Sequence, residues 1–219
     1  MDAGRRLARA LLHREQRRAQ AGQDSATART PLVLALPRGG VPVAFEVAHA
    51  LEAPLDVLVV RKLGMPGHEE LALGAVSSGG AEFINEELVR SLGVSRAALD
   101  GVRKRELQEL QRRERTYRGE RPPLDVRGRR TIVVDDGVAT GATMRVAVSA
   151  LRRAGAGQVT VAVPLASQEV VQELMRLTDE LLCLETPSPF RSVGQWYGRF
   201  DQVSDEEVRQ LLQRAGGAS

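Results

Sequence analysis

The chain of 219 residues is long enough to bury a substantial core within one α/β domain. Its apolar fraction of 42% and charged fraction of 27% are ordinary for a globular protein, and a net charge of +3 is too close to balance to require a nucleic-acid partner. The single cysteine, Cys183, excludes an intrachain disulfide bond and a metal site built from cysteines alone. No apolar run approaches the ~20 residues of a membrane span and no signal sequence is recognisable, so we expect a cytoplasmic protein.

The first predicted element is an amphipathic helix over residues 4–19, followed by a polar connector over residues 20–30. Leucines fall on one side of this helix and arginines on the other, namely Arg5, Arg6, Arg9, Arg14, Arg17 and Arg18. The favoured interpretation is a helix that covers the domain and exposes a basic face to solvent. The alternative is a surface that binds anions or nucleic acid.

The first buried strand is predicted over residues 31–36, and it leads directly into Arg38, Gly39 and Gly40 before a helix over residues 41–51. Paired glycines allow a ligand to approach the backbone closely, and the guanidinium of Arg38 matches phosphate oxygens. Taken alone, the turn is equally compatible with a plain loop.

A second strand over residues 54–60 ends at Arg61 and Lys62, and residues 63–70 are predicted to form a flexible, glycine-rich loop. Alternation and a Gly-Gly pair then predict a β-hairpin over residues 73–84. Caps at Asn85 and Ser95 open a short helix and a long one. Acids and bases alternate along the long helix, which indicates a solvated, ion-paired face.

Residues 131–144 contain the most specific motif of the chain. A β-branched strand ends at Asp135 and Asp136, and a loop of small and hydroxyl residues leads into an apolar-periodic helix. Loop amides at a helix N-terminus, with the hydroxyls of Thr140 and Thr143 beside them, suit a phosphate. Two adjacent carboxylates would repel a bare anion, so they indicate sugar hydroxyls or a magnesium ion shared with phosphates. The motif therefore predicts a ribose phosphate site, and the alternative is a strand–loop–helix whose acids only cap the helix.

The rest of the chain alternates strands and helices: a strand over residues 158–164, a helix from Ser167 to about residue 177, a strand over residues 180–184 and a closing helix after Ser204. This alternation predicts one α/β domain over residues 1–219, with a parallel sheet between helices on both faces in three layers. No internal repeat and no second domain are indicated.

Residues 186–200 break this periodicity and contain four of the seven aromatic residues of the chain: Phe190, Trp196, Tyr197 and Phe200. So many rings in one loop indicate either a small secondary core or a platform for a flat ligand. We regard both as open, with Trp196 and Tyr197 as the expected stacking residues.

The segment Asp135-Asp136-Gly137-Val138-Ala139-Thr140-Gly141-Ala142-Thr143 resembles the signature of the type I phosphoribosyltransferases. In that signature a hydrophobic strand is followed by two acids, a short spacer and Thr-Gly-x-Thr. One departure is Gly137, because the family more often has an aliphatic residue at that position. The resemblance implies the three-layer fold, with residues 186–219 forming a small C-terminal hood and closing helix and residues 1–30 an N-terminal helix and connector.

The resemblance also implies roles for the motif residues. Asp135 and Asp136 would contact the ribose hydroxyls of phosphoribosyl pyrophosphate and help to place magnesium, the expected cofactor. The loop that would bind the 5-phosphate consists of Ala139, Thr140, Gly141, Ala142 and Thr143. The residues that would bind pyrophosphate are Arg38, Gly39, Gly40, Arg61 and Lys62, with Lys62 also counted as catalytic. The Pro37–Arg38 peptide bond would be cis.

In the family, the loop after the second strand closes over the reaction centre, and the hood contributes to the acceptor site, here through Trp196 and Tyr197. Many members have a lysine within the closing loop where this chain has Met65. The implied reaction transfers phosphoribose to a nitrogen acceptor, with a nucleobase expected, and releases pyrophosphate. A homodimer is also expected, because dimers are common in the family.

Two other functions stay open at this stage. A regulator could bind phosphoribosyl pyrophosphate and nucleic acid without turnover, which the absent loop lysine and the arginine-rich helices favour mildly. A hydrolase or phosphorylase of nucleotides could use a similar site.

Overall fold

A computed structural model of the chain describes residues 2–21 and 30–216. The described residues form eight strands: β1 (Leu32–Ala35), β2 (Leu55–Val57), β3 (Val60–Met65), β4 (His68–Ser77), β5 (Glu82–Ile84), β6 (Arg130–Val134), β7 (Gln158–Leu165) and β8 (Glu180–Glu185). They also form seven α-helices: α1 (Asp2–Gln20), α2 (Gly40–Ala50), α3 (Glu86–Ser91), α4 (Arg96–Arg118), α5 (Ala142–Arg153), α6 (Gln168–Leu177) and α7 (Asp205–Gly216). Most of the connector predicted over residues 20–30 lies outside the described residues.

The main sheet has five parallel strands in the order β2-β1-β6-β7-β8, which confirms the predicted parallel sheet. Strand β2, which follows β1, lies at one edge of the sheet, whereas β7 and β8, which follow β6, extend to the opposite edge. The strand order therefore reverses between β1 and β6, where Val33 pairs with Leu55 on one side and Ile132 on the other. In open α/β sheets a crevice forms at such a switch point, at the carboxyl ends of the strands.

Side chains alternate along the central strands and build one hydrophobic core on each face of the sheet. Val33 and Ala35 face the core formed with α1, α2, α4 and α7. Leu32 and Leu34 face the core formed with α5 and α6. This arrangement is the predicted three-layer architecture.

Helix α1 covers one face of the sheet, in agreement with the favoured interpretation. Leu7 and Leu11 are buried, whereas several arginines reach across to acids and amides at the edge of the sheet. Arg14 and Arg18 lie 3.1 and 3.2 Å from the carboxylate of Glu180. These arginines form ion pairs within the domain, so fewer basic side chains of α1 are available to bind an external anion.

The prediction of a flexible loop over residues 63–70 is wrong. Strands β3 and β4 form an antiparallel hairpin, and with β5 they make a second, three-stranded sheet. The glycines that indicated flexibility shape the hairpin: a side chain on Gly64 would lie 2.6 Å from the carbonyl of Glu69, and Gly67 takes a φ of +81° in the turn. The predicted strand over residues 54–60 is accordingly divided between β2 and the start of β3.

The predicted helix caps are confirmed. The side chain of Asn85 accepts from the amide of Leu88, and the hydroxyl of Ser95 accepts from the amide of Ala98. Ser167 and Ser204 cap α6 and α7 in the same way. None of the helices described is both long enough and apolar enough to span a bilayer.

An ion pair buried beneath the sheet edge joins β2 to the last turn of α4. The Arg118 guanidinium donates to both carboxylate oxygens of Asp56 at 3.0 Å, and also to the carbonyl of Pro122 at 2.6 Å. The side chains of Arg118 and Asp56 are only 7% and 13% exposed. Removing one partner would leave the other charge buried without compensation.

We therefore expect Asp56→Ala to lower the free energy of unfolding by about 3–5 kcal/mol. Denaturant unfolding measures the change, with Asp201→Ala as the control. Asp201 pairs with Arg199 in solvent, at 80% and 88% exposure, so its removal should change stability by less than about 1 kcal/mol. Equal effects of the two substitutions would contradict the buried pair's role.

Candidate active site at the carboxyl edge of the sheet

The two loops at the switch point touch each other. A Cβ atom added to Gly39 would lie 1.9 Å from Oδ2 of Asp136, and one added to Gly40 would lie 2.7 Å from the carbonyl of Val134. Gly39 has a φ of −58°, which any residue adopts, so a glycine is needed there for space and not for conformation. The structure thus brings together the turn after β1 and the acids after β6, as the sequence predicted.

The turn itself holds Arg38 at the rim of the crevice. The Pro37–Arg38 peptide bond is cis, which confirms the prediction. The exposed Arg38 guanidinium lies 3.6 Å from the carboxylate of Asp205 at the start of α7, and the hydroxyl of Tyr117 donates to the same oxygen at 2.9 Å. Sequence reasoning did not identify this contact with Asp205.

The two acids are partly buried at the end of β6. Oδ1 of Asp135 accepts from the backbone amide of Asp136 at 2.9 Å. Burial first, and the neighbouring charge of Asp136 second, raise the pKa of Asp135 well above its usual range. Burial also raises the pKa of Asp136. Of the cations predicted to bind pyrophosphate, Arg38 pairs with Asp205 and Arg61 pairs with Glu106.

This donor set suits magnesium. Within the described ranges no cluster of three or more His, Cys, Asp or Glu residues could hold a metal ion by itself. Magnesium, however, is commonly bound by one or two carboxylates together with substrate phosphates and water. Asp135 and Asp136 supply hard oxygen ligands, so a cation carried by a phosphorylated ligand fits this position.

The loop over residues 139–143 has the form expected for a phosphate site. Gly141 adopts a φ of +75° and caps the twelve-residue helix α5, which begins at Ala142. The loop's start is fixed to the end of β7, because the amide of Val138 donates to the carbonyl of Leu165 at 2.9 Å and the hydroxyl of Ser167 donates to the carbonyl of Ala139. Thr140 and Thr143 are exposed. The first amides of a helix have no partner within it and are available to an anion.

Arg61 and Lys62 lie in β3 and not at the start of a mobile loop. Arg61 is held by Glu106 of α4, with Nε and Nη2 2.8 and 2.6 Å from Oε2. Successive side chains of a strand point to opposite faces, so Lys62 points away from this ion pair. The pyrophosphate role of both residues stays a prediction, and Arg61 could take it up only by exchanging its partner.

The hood contacts the acid loop directly. The Tyr197 hydroxyl donates to the backbone carbonyl of Asp136, and its ring lies 5.3 Å from the ring of Phe200. Burial, and then the charges of Asp136 and Asp135, raise the pKa of Tyr197, so it stays a donor at neutral pH. Trp196 is 42% exposed. The role of both rings in acceptor binding stays a prediction.

Beside the hood, a cavity of about 330 Å³ opens between α1 and the ends of β7 and β8. Its lining includes Trp196 and Tyr197 of the hood, Leu165 of β7, Arg6 of α1 and Glu185 of β8. Arg6 pairs with Glu185 at 2.6 Å. The cavity is large enough for a small ring system and lies next to the acid loop, because Tyr197 contacts both.

The unusual Gly137 is explained by the hood. A Cβ atom on this residue would lie 2.8 Å from Cδ1 of Leu165 and 2.8 Å from Cγ1 of Val193. Val193 therefore fills the volume where the resembling family more often has an aliphatic residue on the acid loop. The departure at position 137 was visible in the sequence, but its partner was not.

The close approach at Gly39 can be tested by stability alone. Gly39→Ala should lower the free energy of unfolding by about 1–3 kcal/mol, because the new methyl group displaces the Asp136 carboxylate or the turn. The matched control is Gly101→Ala in α4, where an added Cβ meets nothing within 4 Å. That control should raise stability by about 0.5–1 kcal/mol, and a stabilising Gly39→Ala would contradict the geometry.

The raised pKa of Asp135 predicts a pH-dependent effect of Asp135→Asn. When the pKa of a carboxyl group is higher in the folded state than in the unfolded state, the protein loses stability as pH rises from about 4 through the folded pKa. Asparagine stays neutral and keeps an oxygen for the amide of Asp136. In the presence of a chelator, Asp135→Asn should therefore be more stable than the parent at pH 8, with each kcal/mol raising Tm by about 2–4 °C.

Thermal unfolding from pH 4 to pH 8 measures this difference, which should shrink towards pH 4. Asp100→Asn, an exposed acid of α4, is the control and should show no such trend. A variant that is less stable than the parent by a constant amount at every pH would refute the raised pKa.

Comparison with known proteins agrees with this geometry. Residues 11–185 match the profile of the phosphoribosyl transferase domain. Proteins of two Mycobacterium tuberculosis strains, CDC 1551 and H37Rv, each provisionally named a phosphoribosyl transferase, are 47% identical over 214 residues. These matches cover 98% of the chain but 46% of each relative, so the chain spans about half the length of the curated relatives it matches.

A solved structure is similar over nearly the whole chain. The crystal structure of TT1426 from Thermus thermophilus is 40% identical, has a TM-score of 0.81, and is matched over 97% of this chain and 95% of that one. Because the profile of the phosphoribosyl transferase domain matches most of it, the chain belongs to the phosphoribosyltransferase family.

Proposed function

We propose that the protein transfers phosphoribose from phosphoribosyl pyrophosphate to a nitrogen acceptor, with a nucleobase expected, and releases pyrophosphate. The observation that carries this proposal is the contact between the Gly39-Gly40 turn and the Asp135–Asp136 pair. This contact supports the proposal because it brings the glycine turn and the two carboxylates to one edge of the sheet, beside the loop over residues 139–143.

Phosphoribosyl pyrophosphate would lie along this edge, with its 5-phosphate, its ribose and its pyrophosphate each contacting a different part of the site. Its 5-phosphate would accept from the amides of residues 139–143, and its ribose hydroxyls would donate to Asp135 and Asp136. Its pyrophosphate would lie over Gly39 and Gly40, near the positive charge of Arg38, with Lys62 as the further proposed cation. When bound, magnesium would be held by the acids and pyrophosphate oxygens, and it would supply positive charge that stabilises the leaving group.

The protein's contribution to the chemistry is positioning and charge. As the bond to pyrophosphate breaks, positive charge develops on the sugar ring, and the two fixed carboxylates beside it favour that charge. The Arg38 guanidinium favours the negative charge that develops on the pyrophosphate. A cationic sugar would react with water, so the site must exclude water, and the hood, which contacts the acid loop through Tyr197, is the element proposed to do so.

For the acceptor, we propose the exposed face of Trp196 as the contact surface, next to the cavity lined by Arg6 and Glu185. A flat heteroaromatic ring would gain stacking area there, with polar groups at the cavity wall for its nitrogen and oxygen atoms. The nitrogen to be glycosylated would then approach the ribose from the hood side, opposite the departing pyrophosphate.

The ion pairs made by the arginines of α4 support an enzyme over a nucleic-acid regulator. On α4, Arg103 donates to both oxygens of Glu82, and Arg112 and Arg113 both pair with Glu109. Cations already neutralised by neighbouring acids contribute little to phosphate binding along a nucleic acid. We accordingly propose small-molecule partners. We also propose a cytoplasmic enzyme, and the expected homodimer stays a prediction.

The test follows pyrophosphate release from the protein, magnesium and phosphoribosyl pyrophosphate with a panel of purine and pyrimidine bases. Pyrophosphate should appear only when an acceptor is present. The double variant Asp135→Asn/Asp136→Asn should lose at least about 100-fold in rate, because the charges that favour the transition state are removed. Asp100→Asn serves as the control for an acid removed elsewhere.

Other outcomes select the other functions. Release of pyrophosphate without any acceptor would identify a hydrolase. Binding of phosphoribosyl pyrophosphate without turnover, together with salt-dependent binding of nucleic acid, would identify a regulator. Unchanged turnover in the double variant would show that the site is assigned wrongly.

A further inference from the structure

Hydrogen bonds hold both the backbone amide and the backbone carbonyl of Asp136. Its amide donates to Oδ1 of Asp135 at 2.9 Å, and its carbonyl accepts from the Tyr197 hydroxyl. Its carboxylate lies against Gly39, where no side chain would fit. With both flanking peptide groups fixed, the direction of the carboxylate into the crevice is set by the neighbours of Asp136.

The next residue extends this attachment to the hood. Gly137 lies between Leu165 of β7 and Val193 of the hood, close enough that a Cβ atom would meet both at 2.8 Å. The hood is itself braced, because Phe200 packs against Tyr197 and leaves no room for a side chain at Gly194. The acid loop and the hood therefore form one packed unit.

We propose that Tyr197 is a positioning residue for the donor: its hydroxyl fixes the Asp136 peptide so that the carboxylate meets the ribose hydroxyls. This inference rests on the proposed function and assigns Tyr197 a role that differs from stacking on the acceptor. The acceptor contact then belongs to Trp196, whose ring is exposed.

The geometry separates the two roles. The ring of Tyr197 packs against that of Phe200 at an angle of 48° and its hydroxyl is bound to the acid loop, whereas the neighbouring Trp196 is 42% exposed. The hydrogen bond to Asp136 crosses 61 residues of sequence, so it fixes the loop relative to the hood and not to its own segment. Loss of this bond should loosen the acid loop while the phosphate loop, anchored through Leu165, stays in place.

The experiment uses Tyr197→Phe, which removes only the hydroxyl, and calorimetric titration of the full chain without any acceptor. Two probes are compared without magnesium, so that Asp136 does not contact pyrophosphate through a shared metal ion: phosphoribosyl pyrophosphate, which has a ribose, and inorganic pyrophosphate, which has none. We expect the affinity for phosphoribosyl pyrophosphate to fall about five- to tenfold and that for pyrophosphate to change less than about twofold. A general loss of structure would weaken both.

The matched control is Thr178→Val at the opposite edge of the sheet. It also removes a hydroxyl that donates to a backbone carbonyl, that of Leu174 at 2.8 Å. It should leave both affinities within about twofold of the parent, because one neutral hydrogen bond far from the crevice affects only stability.

A second measurement separates this inference from the proposed function. Hydrogen exchange of a peptide covering residues 135–139 in the free protein should be faster in Tyr197→Phe and unchanged in Thr178→Val. Unchanged exchange, or equal losses for the two probes, would overturn the role of Tyr197 while the transferase function stands. If the parent does not bind phosphoribosyl pyrophosphate, the proposed function is overturned, and Tyr197 has no donor to position.

Discussion

The close contact between the turn after β1 and the acids after β6 is the constraint on which the rest of the site depends. Oδ2 of Asp136 occupies the space where Gly39 lacks a side chain. That contact is possible only because β1 and β6 are neighbouring parallel strands whose following helices lie on opposite faces of the sheet. The sheet topology thus creates the crevice, and Gly39 and Gly40 allow the two loops that line it to come into contact.

The same contact keeps two acids side by side in a partly buried position. Burial raises the pKa of both, so keeping both charged at neutral pH costs stability. Functional sites are commonly places where such strain is kept, because the ligand relieves it.

Much of this could be predicted from the sequence, because the relevant signals are local. The strand before Asp135, the caps at Asn85 and Ser95, and the Gly-Gly turn each depend on a few adjacent residues. The hairpin of β3 and β4 was missed because Gly64 and Gly67 indicate flexibility by composition, and their use in a bulge and a turn appears only when the partner strand is known.

The contacts that join distant parts of the chain could not be predicted, since nothing in one segment specifies its partner. Glu106 neutralises Arg61 from a helix 45 residues away, and Tyr197 reaches Asp136 from the hood. Gly137 was the one local hint, because an aliphatic residue was expected at that position, and the missing volume is supplied by Val193. Residue type and spacing therefore predicted the acid pair, the glycine turn and their place at the ends of strands, while their contact with the hood is visible only in the folded structure.

The most direct measurement is a crystal structure of the protein with magnesium and phosphoribosyl pyrophosphate. We expect the 5-phosphate over the amides of residues 139–143, with the ribose hydroxyls within hydrogen-bonding distance of Asp135 and Asp136. We also expect the pyrophosphate over Gly39 and Gly40. A donor bound elsewhere on the protein, or bound here with its ribose turned away from the two acids, would contradict this assignment of the site.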